Sequence, residues 1–282
     1  EYGGISARIV QVAKILCAKV RGGLAITSIV ACSFFAALSG SAPATVSAIG
    51  GIMYPEMLKD GYDEEFAGGM ISVAGNLGPL IPPSILMVTI GVCTGVSISD
   101  MFLGGIVIGI LLAVVFCLTA YVICRRRNYG GSGQTYSSKE KWRIFWSAMP
   151  ALGMPIIILG GIYGGIFTPT EAGAVAVLYA FVVEGLLLRS LTWSKTWEEL
   201  KGAAITNATI FIIMCVACAL GQLLLIHNVP DAVSGLLAGV AHNKYLLLAV
   251  IILIMLIAGT FLLTYTTVSY THLRAHETPE HL

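Results

Sequence analysis

Two short stretches of hydroxyl, amide and glycine residues interrupt an otherwise oily chain. They are Ser39-Gly40-Ser41-Ala42-Pro43-Ala44-Thr45 and Gly75-Asn76-Leu77-Gly78-Pro79-Leu80-Ile81-Pro82-Pro83-Ser84. Ser39, Ser41, Thr45, Asn76 and Ser84 supply uncharged side-chain oxygens, the donors that a hard cation prefers. Gly40, Gly75 and Gly78 allow backbone carbonyls to turn towards the same space. A fixed charge there would be expensive in lipid, and no Asp, Glu, Lys or Arg occurs in residues 22–55 or 66–99. Half-helices restarting after Pro43 and Pro83 would aim their positive ends at this region, an arrangement suited to an anion. The rival reading is that small and hydroxylated residues merely let helices pack closely.

Both interruptions need positioning, and the surrounding composition says in what medium. Hydrophobic residues make up 57% of the 282, charged residues only 11%, and the mean hydropathy is +0.87. Soluble domains carry roughly a quarter charged residues, so this is an integral membrane protein. The net charge of +1 carries no nucleic-acid signal. Non-helical backbone at membrane depth is tolerated where it lines a cavity or an ion site, so the two breaks are expected to face each other as half of such a site.

The flanking elements follow from apolar run lengths, a full crossing needing about 20 residues. Residues 5–20 carry Ile5, Ile9, Val12, Ile15 and Leu16 against Arg8, Lys14 and Lys19, an amphipathic helix expected along the membrane surface. Two short limbs, 22–38 and 46–53, surround the small-residue tip and read as a re-entrant hairpin. From 66 to 91 the chain crosses with a break: the helix should unwind near Asn76 and restart near Pro83, since proline removes a donor and clashes with the preceding turn. Spans follow at 101–123, 148–165, 172–188, 203–226 and 245–263. A polar loop at 124–147, another at 189–201 with Trp193 and Trp197, and an amphipathic piece at 230–242 connect them. Thr168-Pro169-Thr170-Glu171 has helix-start chemistry.

Charge orients the whole. Alternating the connectors places every one of the 16 basic residues except Lys244 and Arg274 on one face, which the positive-inside rule makes cytoplasmic. The 39–45 hairpin then enters from the cytoplasm. The order surface helix, basic residue, apolar limb, small-residue tip recurs from Val229 through Lys244 to Ala258-Gly259-Thr260, starting from the other side. Inverted repeats with broken helices are a common transporter architecture.

Several strings resemble a known family: Arg21-Gly22-Gly23-Leu24-Ala25, Phe35-Ala36-Ala37-Leu38-Ser39-Gly40-Ser41, Gly61-Tyr62, Gly78-Pro79-Leu80-Ile81-Pro82-Pro83-Ser84 and Gly164-Gly165-Ile166-Phe167-Thr168-Pro169-Thr170-Glu171-Ala172. They look like the large membrane (permease) subunit of TRAP, the tripartite ATP-independent periplasmic transporters, over residues 1–262. The resemblance implies an all-α polytopic protein with ion-transporter-type inverted repeats, a re-entrant helical hairpin and a broken transmembrane helix. It implies Na+-coupled uptake of an organic acid delivered by a periplasmic binding protein, through elevator-type alternating access in the bacterial inner membrane. A small TRAP membrane subunit is the implied partner, and Na+ the coupling ion, with no other cofactor. Mapped onto this chain, the substrate- and ion-binding set is Ser39, Gly40, Ser41, Ala42, Thr45, Gly75, Asn76, Gly78, Pro83 and Ser84, with Na+ at Ser41, Asn76 and Gly78.

The resulting organisation is a first repeat (1–123), a cytoplasmic loop (124–147), a second repeat (148–262) and a tail (263–282) expected to be non-native. The chain starts at Glu1 without Met and is expected to lack the family's first helices, while the second repeat is expected to stop at its outer hairpin. Other features carry less. The seven cysteines are scattered in apolar runs and read as core residues, Cys215-x-x-Cys218 included. Glu171 reads as an interfacial carboxylate and Glu184 as a buried or near-interface structural carboxylate, with a proton or ion relay as its alternative; Asn207 and Gln222 read as inter-helix hydrogen-bonders, and His272/His276 as part of the tail. The alternatives are a passive channel or structural membrane subunit, and an intramembrane hydrolase with Ser41 as nucleophile. The last lacks a neighbouring base, since His227 and His242 flank the outer loop.

Overall fold

A computed structural model describes residues 5–18, 20–129, 137–187, 192–229, 231, 245–257 and 259. Among these residues every regular element is helical: α1 (Ile5–Cys17), α2 (Gly23–Ser39), α3 (Ala42–Lys59), α4 (Glu64–Gly75), α5 (Ile85–Thr94), α6 (Ile98–Arg126), α7 (Ser138–Tyr163), α8 (Pro169–Val182), a π-helical turn (Val183–Leu187), α9 (Trp193–Ile226) and α10 (Tyr245–Ile257). The chain forms two units, Glu1–Met214 and Cys215–Leu282. The second tip expected at 258–260, most of the 229–241 piece and the tail lie outside the described residues.

Three helices, Ile98–Arg126, Ser138–Tyr163 and Thr196–Ile226, are long and apolar enough to cross a membrane. Their outer faces carry large exposed side chains, such as Leu111, Leu118, Ile156 and Ile213. An element apolar on nearly all sides belongs in lipid; this is a membrane protein.

The first unit is built on α2, a helix with Ile29, Ala31, Cys32 and Ala36 fully buried. It packs against α1, α3, α4 and α6. A second, smaller core of Phe102, Ile158, Ile162, Ala172 and Ala176 joins α6, α7 and α8. One end of the unit is basic. There Lys14 of α1 pairs with Glu56 at 2.5 Å, Arg127 pairs with Asp63 at 2.6 Å, and Arg8 donates to the Ser147 carbonyl. Tyr62 stacks on Tyr129 and Phe66 beside them, with Arg127 over the Phe66 ring.

Several boundaries differ from the sequence reading. Helix α1 does not spread its apolar face on a surface: Ile9, Val10 and Ala13 are buried against the rest of the core, leaving Leu16 exposed. The second hairpin limb is not short. It runs through Pro55 to Lys59 because a proline near a helix's end removes one hydrogen bond without ending the element. Helix α7 starts ten residues before the expected span, at Ser138, where Ser137 and Glu140 form a capping box. Helix α9 takes in Trp193 and Trp197, which the sequence reading places in a loop.

At the start of α8 the chemistry is as expected. The Thr168 hydroxyl accepts from the Glu171 N–H at 3.3 Å, and the Glu171 carboxylate accepts from the Thr168 N–H at 2.8 Å. The Thr168 backbone and then its hydroxyl hold the Glu171 carboxyl below its ordinary pKa. A depressed carboxylate contributes stability that is present above its unfolded value and lost as pH falls through the lower, folded value. Thr168→Ala removes the cap on the Glu171 N–H and is expected to loosen this turn. Lower protection from hydrogen exchange at the 170–172 amides, at fixed pH, would register the loss, and wild-type protection there should fall under acid.

Candidate functional site at the meeting of two backbone breaks

The first break is a two-residue link. Helix α2 ends at Ser39, Gly40 closes it in the left-handed region (φ 60°) with its N–H on the Ala36 carbonyl, and extended Ser41 opens α3. Glycine is the residue that takes such a φ without strain, and Pro43 is tolerated in the first turn of α3, where its missing N–H would have no intrahelical partner. The second break is longer. Helix α4 stops at Gly75, residues 76–84 form successive turns with a cis Pro82-Pro83 bond, and α5 starts at Ile85. Ser84 caps α5 by accepting from the Met87 N–H at 3.4 Å.

The two breaks lie on each other, backbone against backbone. A Cβ on Gly40 would fall on the Pro83 carbonyl oxygen, with the Ile85 nitrogen and Ser84 Cα each 3.2 Å away. A Cβ on Gly78 would sit 2.6 Å from the carbonyl carbon and oxygen of Ser41 and 2.8 Å from the Ala42 nitrogen. Gly75 is closed in the same way by Val46, with the Ala42 carbonyl 3.5 Å from its virtual Cβ. The N-terminal ends of α3 and α5 therefore both border the crossing.

Within it, three oxygens gather. The Thr45 hydroxyl donates to the Ser41 carbonyl at 2.8 Å and lies 2.9 Å from the Ser39 hydroxyl, which accepts from the Ser41 N–H at 3.4 Å. Thr45 is fully buried and Ser84 almost so. With the Thr45 proton committed to Ser41, Ser39 can donate to Thr45 at 2.9 Å or to the same Ser41 carbonyl at 3.4 Å, and lone pairs remain on an uncharged cluster. Such oxygens can strip water from a hard cation without burying a counter-charge.

Of the sequence-predicted residues, Ser39, Gly40, Ser41, Ala42, Thr45, Gly75, Gly78, Pro83 and Ser84 come together here. Asn76 stands apart. It is exposed, and its amide donates back along its own helix to the Ser72 carbonyl at 3.3 Å. An Asn beside Gly in a broken helix has no sequence signature for which way it turns. The oxygen contributed by the Pro83 carbonyl was missed, since backbone atoms carry no residue-type signal. Among the described residues no group of three or more His, Cys, Asp or Glu could hold a metal ion.

Level matters as well as contact. Helix α6 runs antiparallel to the broken segment, with its Gly105 against the Leu80 carbonyl and Met87, and its Gly109 against Ile81. At about 1.5 Å per residue, the 17-residue α2 carries the tip roughly 26 Å from the basic end. Helix α5 and the first turns of α6 continue about 15 Å further.

Tight backbone contact sets a sharp contrast. Gly78→Ala is expected to destabilise the full-length protein by about 1–3 kcal/mol, since backbone must move to admit the methyl group. Gly69→Ala in α4, whose Cβ would meet nothing within 4 Å, should be neutral or stabilising by about 0.5–1 kcal/mol. Thermal unfolding in detergent reads both.

The family model "Tripartite ATP-independent periplasmic transporter, DctM component" matches residues 1–272. A C4-dicarboxylate TRAP transporter large permease protein of Vibrio cholerae is 38% identical over 281 residues, covering 92% of this chain and 62% of its own length. An isethionate TRAP transporter permease protein of Oleidesulfovibrio alaskensis is 36% identical over 260 residues, covering 92% and 41%. An ectoine/5-hydroxyectoine TRAP transporter large permease protein of Ruegeria pomeroyi is 38% identical over 233 residues, covering 83% and 54%. The chain thus spans 41–62% of the length of these relatives. They are named as transporter permeases and not as enzymes.

Proposed function

The chain belongs to the DctM component family of the tripartite ATP-independent periplasmic transporters, and from that premise we propose that it forms the ion- and substrate-handling part of a secondary active transporter. The coupling ion is Na+, held by the Ser39, Ser41 and Thr45 oxygens and the carbonyls that Gly78 and Gly40 approach. The substrate is an organic acid handed over by a periplasmic binding protein, in a bacterial inner membrane, with a small TRAP membrane subunit as partner. A fused name, DctMQ, on one relative supports that partnership. The printed substrates of the relatives differ, from C4-dicarboxylate to isethionate to ectoine. That range over one scaffold supports placing much of the selectivity in the binding protein.

The observation that carries the reading is the crossing itself. Two helix N-termini and an uncharged oxygen cluster converge with no basic side chain in either break. An organic anion there would depend on the helix ends and on bound Na+ for its counter-charge, which couples the two ligands. The α2–α3 pair turning back some 15 Å short of the far end of α5 and α6 supports a re-entrant hairpin entering from the cytoplasmic face. Clustering of Arg125, Arg126, Arg127, Lys14 and Lys59 at its open end supports the same orientation. On this reading the hairpin and the broken helix move together as a carrier element, an inverted partner being supplied by the second repeat.

Reconstitution of the full-length permease with its small subunit tests this. Uptake of a binding-protein-delivered carboxylate into liposomes should require an inward Na+ gradient. Thr45→Val, which keeps the shape and removes the hydroxyl, should raise the Na+ concentration for half-maximal uptake about tenfold, one coordinating oxygen being worth roughly a charge-assisted hydrogen bond. Uptake indifferent to Na+ and to Thr45 would overturn the proposal.

A further inference from the structure

Beside the crossing, α2 and α6 enclose an elongated groove of about 450 Å³ lined by Val30, Phe34, Ile81, Ala113, Val114 and Cys117. Its lining is apolar because Ser33, which also borders it, commits its proton to the Ile29 carbonyl at 2.8 Å. Val20 and Tyr121 line its other end, and there the chain becomes basic. The Arg21-Gly22 and Cys124-Arg125 segments touch: a Cβ on Gly22 would lie 2.5 Å from the Cys124 Cβ. Arg21, Arg125 and Arg126 are exposed, and among the described residues no ion pair engages them, whereas neighbouring Arg127 is taken by Asp63.

We propose that this groove holds one acyl chain of an anionic glycerophospholipid whose headgroup phosphate sits against Arg21 and Arg125. Size decides between a lipid and a protein segment. From Ile110 to Tyr121 the groove follows about 17 Å of α6, at about 1.5 Å per residue. A helix of 10–12 Å diameter over that length would need on the order of 1,500 Å³, so the open groove could seat only one side of it. A single extended hydrocarbon chain needs far less, and about 17 Å suits one leaflet of a roughly 30 Å core. Charge decides the headgroup. Basic side chains stand at one end only, at the cytoplasmic interface, where anionic lipid is attracted. The proposal depends on the membrane placement of α6 and not on Na+ coupling.

Native mass spectrometry of the delipidated full-length permease tests it, with phosphatidylglycerol or phosphatidylcholine of identical acyl chains titrated back. Phosphatidylglycerol should be retained about tenfold more strongly, two arginines contributing. Arg21→Gln combined with Arg125→Gln should erase that preference, while Lys139→Gln combined with Lys141→Gln, an equal charge loss elsewhere on that face, should leave it. Val114→Trp, at an exposed groove position, should lower retention of both lipids. Equal retention of the two lipids, a preference that survives loss of both arginines, or failure to bind because flanking sequence of the longer protein fills the groove would each overturn it.

Discussion

Direct approach of one backbone to another is the constraint on which the rest depends. Gly40 lies over the Pro83 carbonyl and Gly78 over the Ser41–Ala42 peptide, with no side chain between. Peptide groups placed this closely in lipid would be prohibitive if left unpaired. Three of them have a partner in the fold: the Gly40 N–H goes to Ala36, the Gly78 N–H to Gly75, and the Ser41 carbonyl to the N–H and hydroxyl of Thr45. Satisfying backbone locally is what lets two non-helical segments meet inside an apolar bundle.

Everything around the crossing follows from holding those segments level. Helix α2 needs to be long enough to reach from the basic end to the break, and its fully buried face, with Ile29, Cys32 and Ala36, makes it a fixed post. Helix α6 supplies two glycines, Gly105 and Gly109, where the turns of the second break press against it. The charged and aromatic contacts among Asp63, Arg127, Tyr62 and Tyr129 tie the α3–α4 connection to the end of α6. Pulling either end of the hairpin would therefore carry the tip and the abutting break together, since packed interiors transmit displacement and do not absorb it.

Transport chemistry of this kind asks little of titratable groups. Neither break contains an acid or base, and oxygens held by backbone geometry replace them. On the proposed reading, preference for the ion would rest on carbonyl directions and hydroxyl positions.

Much was legible in the sequence, because lipid makes a few rules strict. Apolar run length located the three long helices, and prolines and glycines located the broken segment between α4 and α5 to within a residue or two. The residue strings 78–84 and 164–172 were specific enough to place the chain in its family. What the sequence could not resolve was decided by tertiary contact. Whether α1 lies on lipid or on protein depends on a partner surface, and an amphipathic pattern looks the same in both cases. The direction of Asn76 depends on which carbonyl is free nearby. That Gly40 meets Pro83 and Gly78 meets Ser41 is a contact between backbones, and backbones are identical at every position of a sequence.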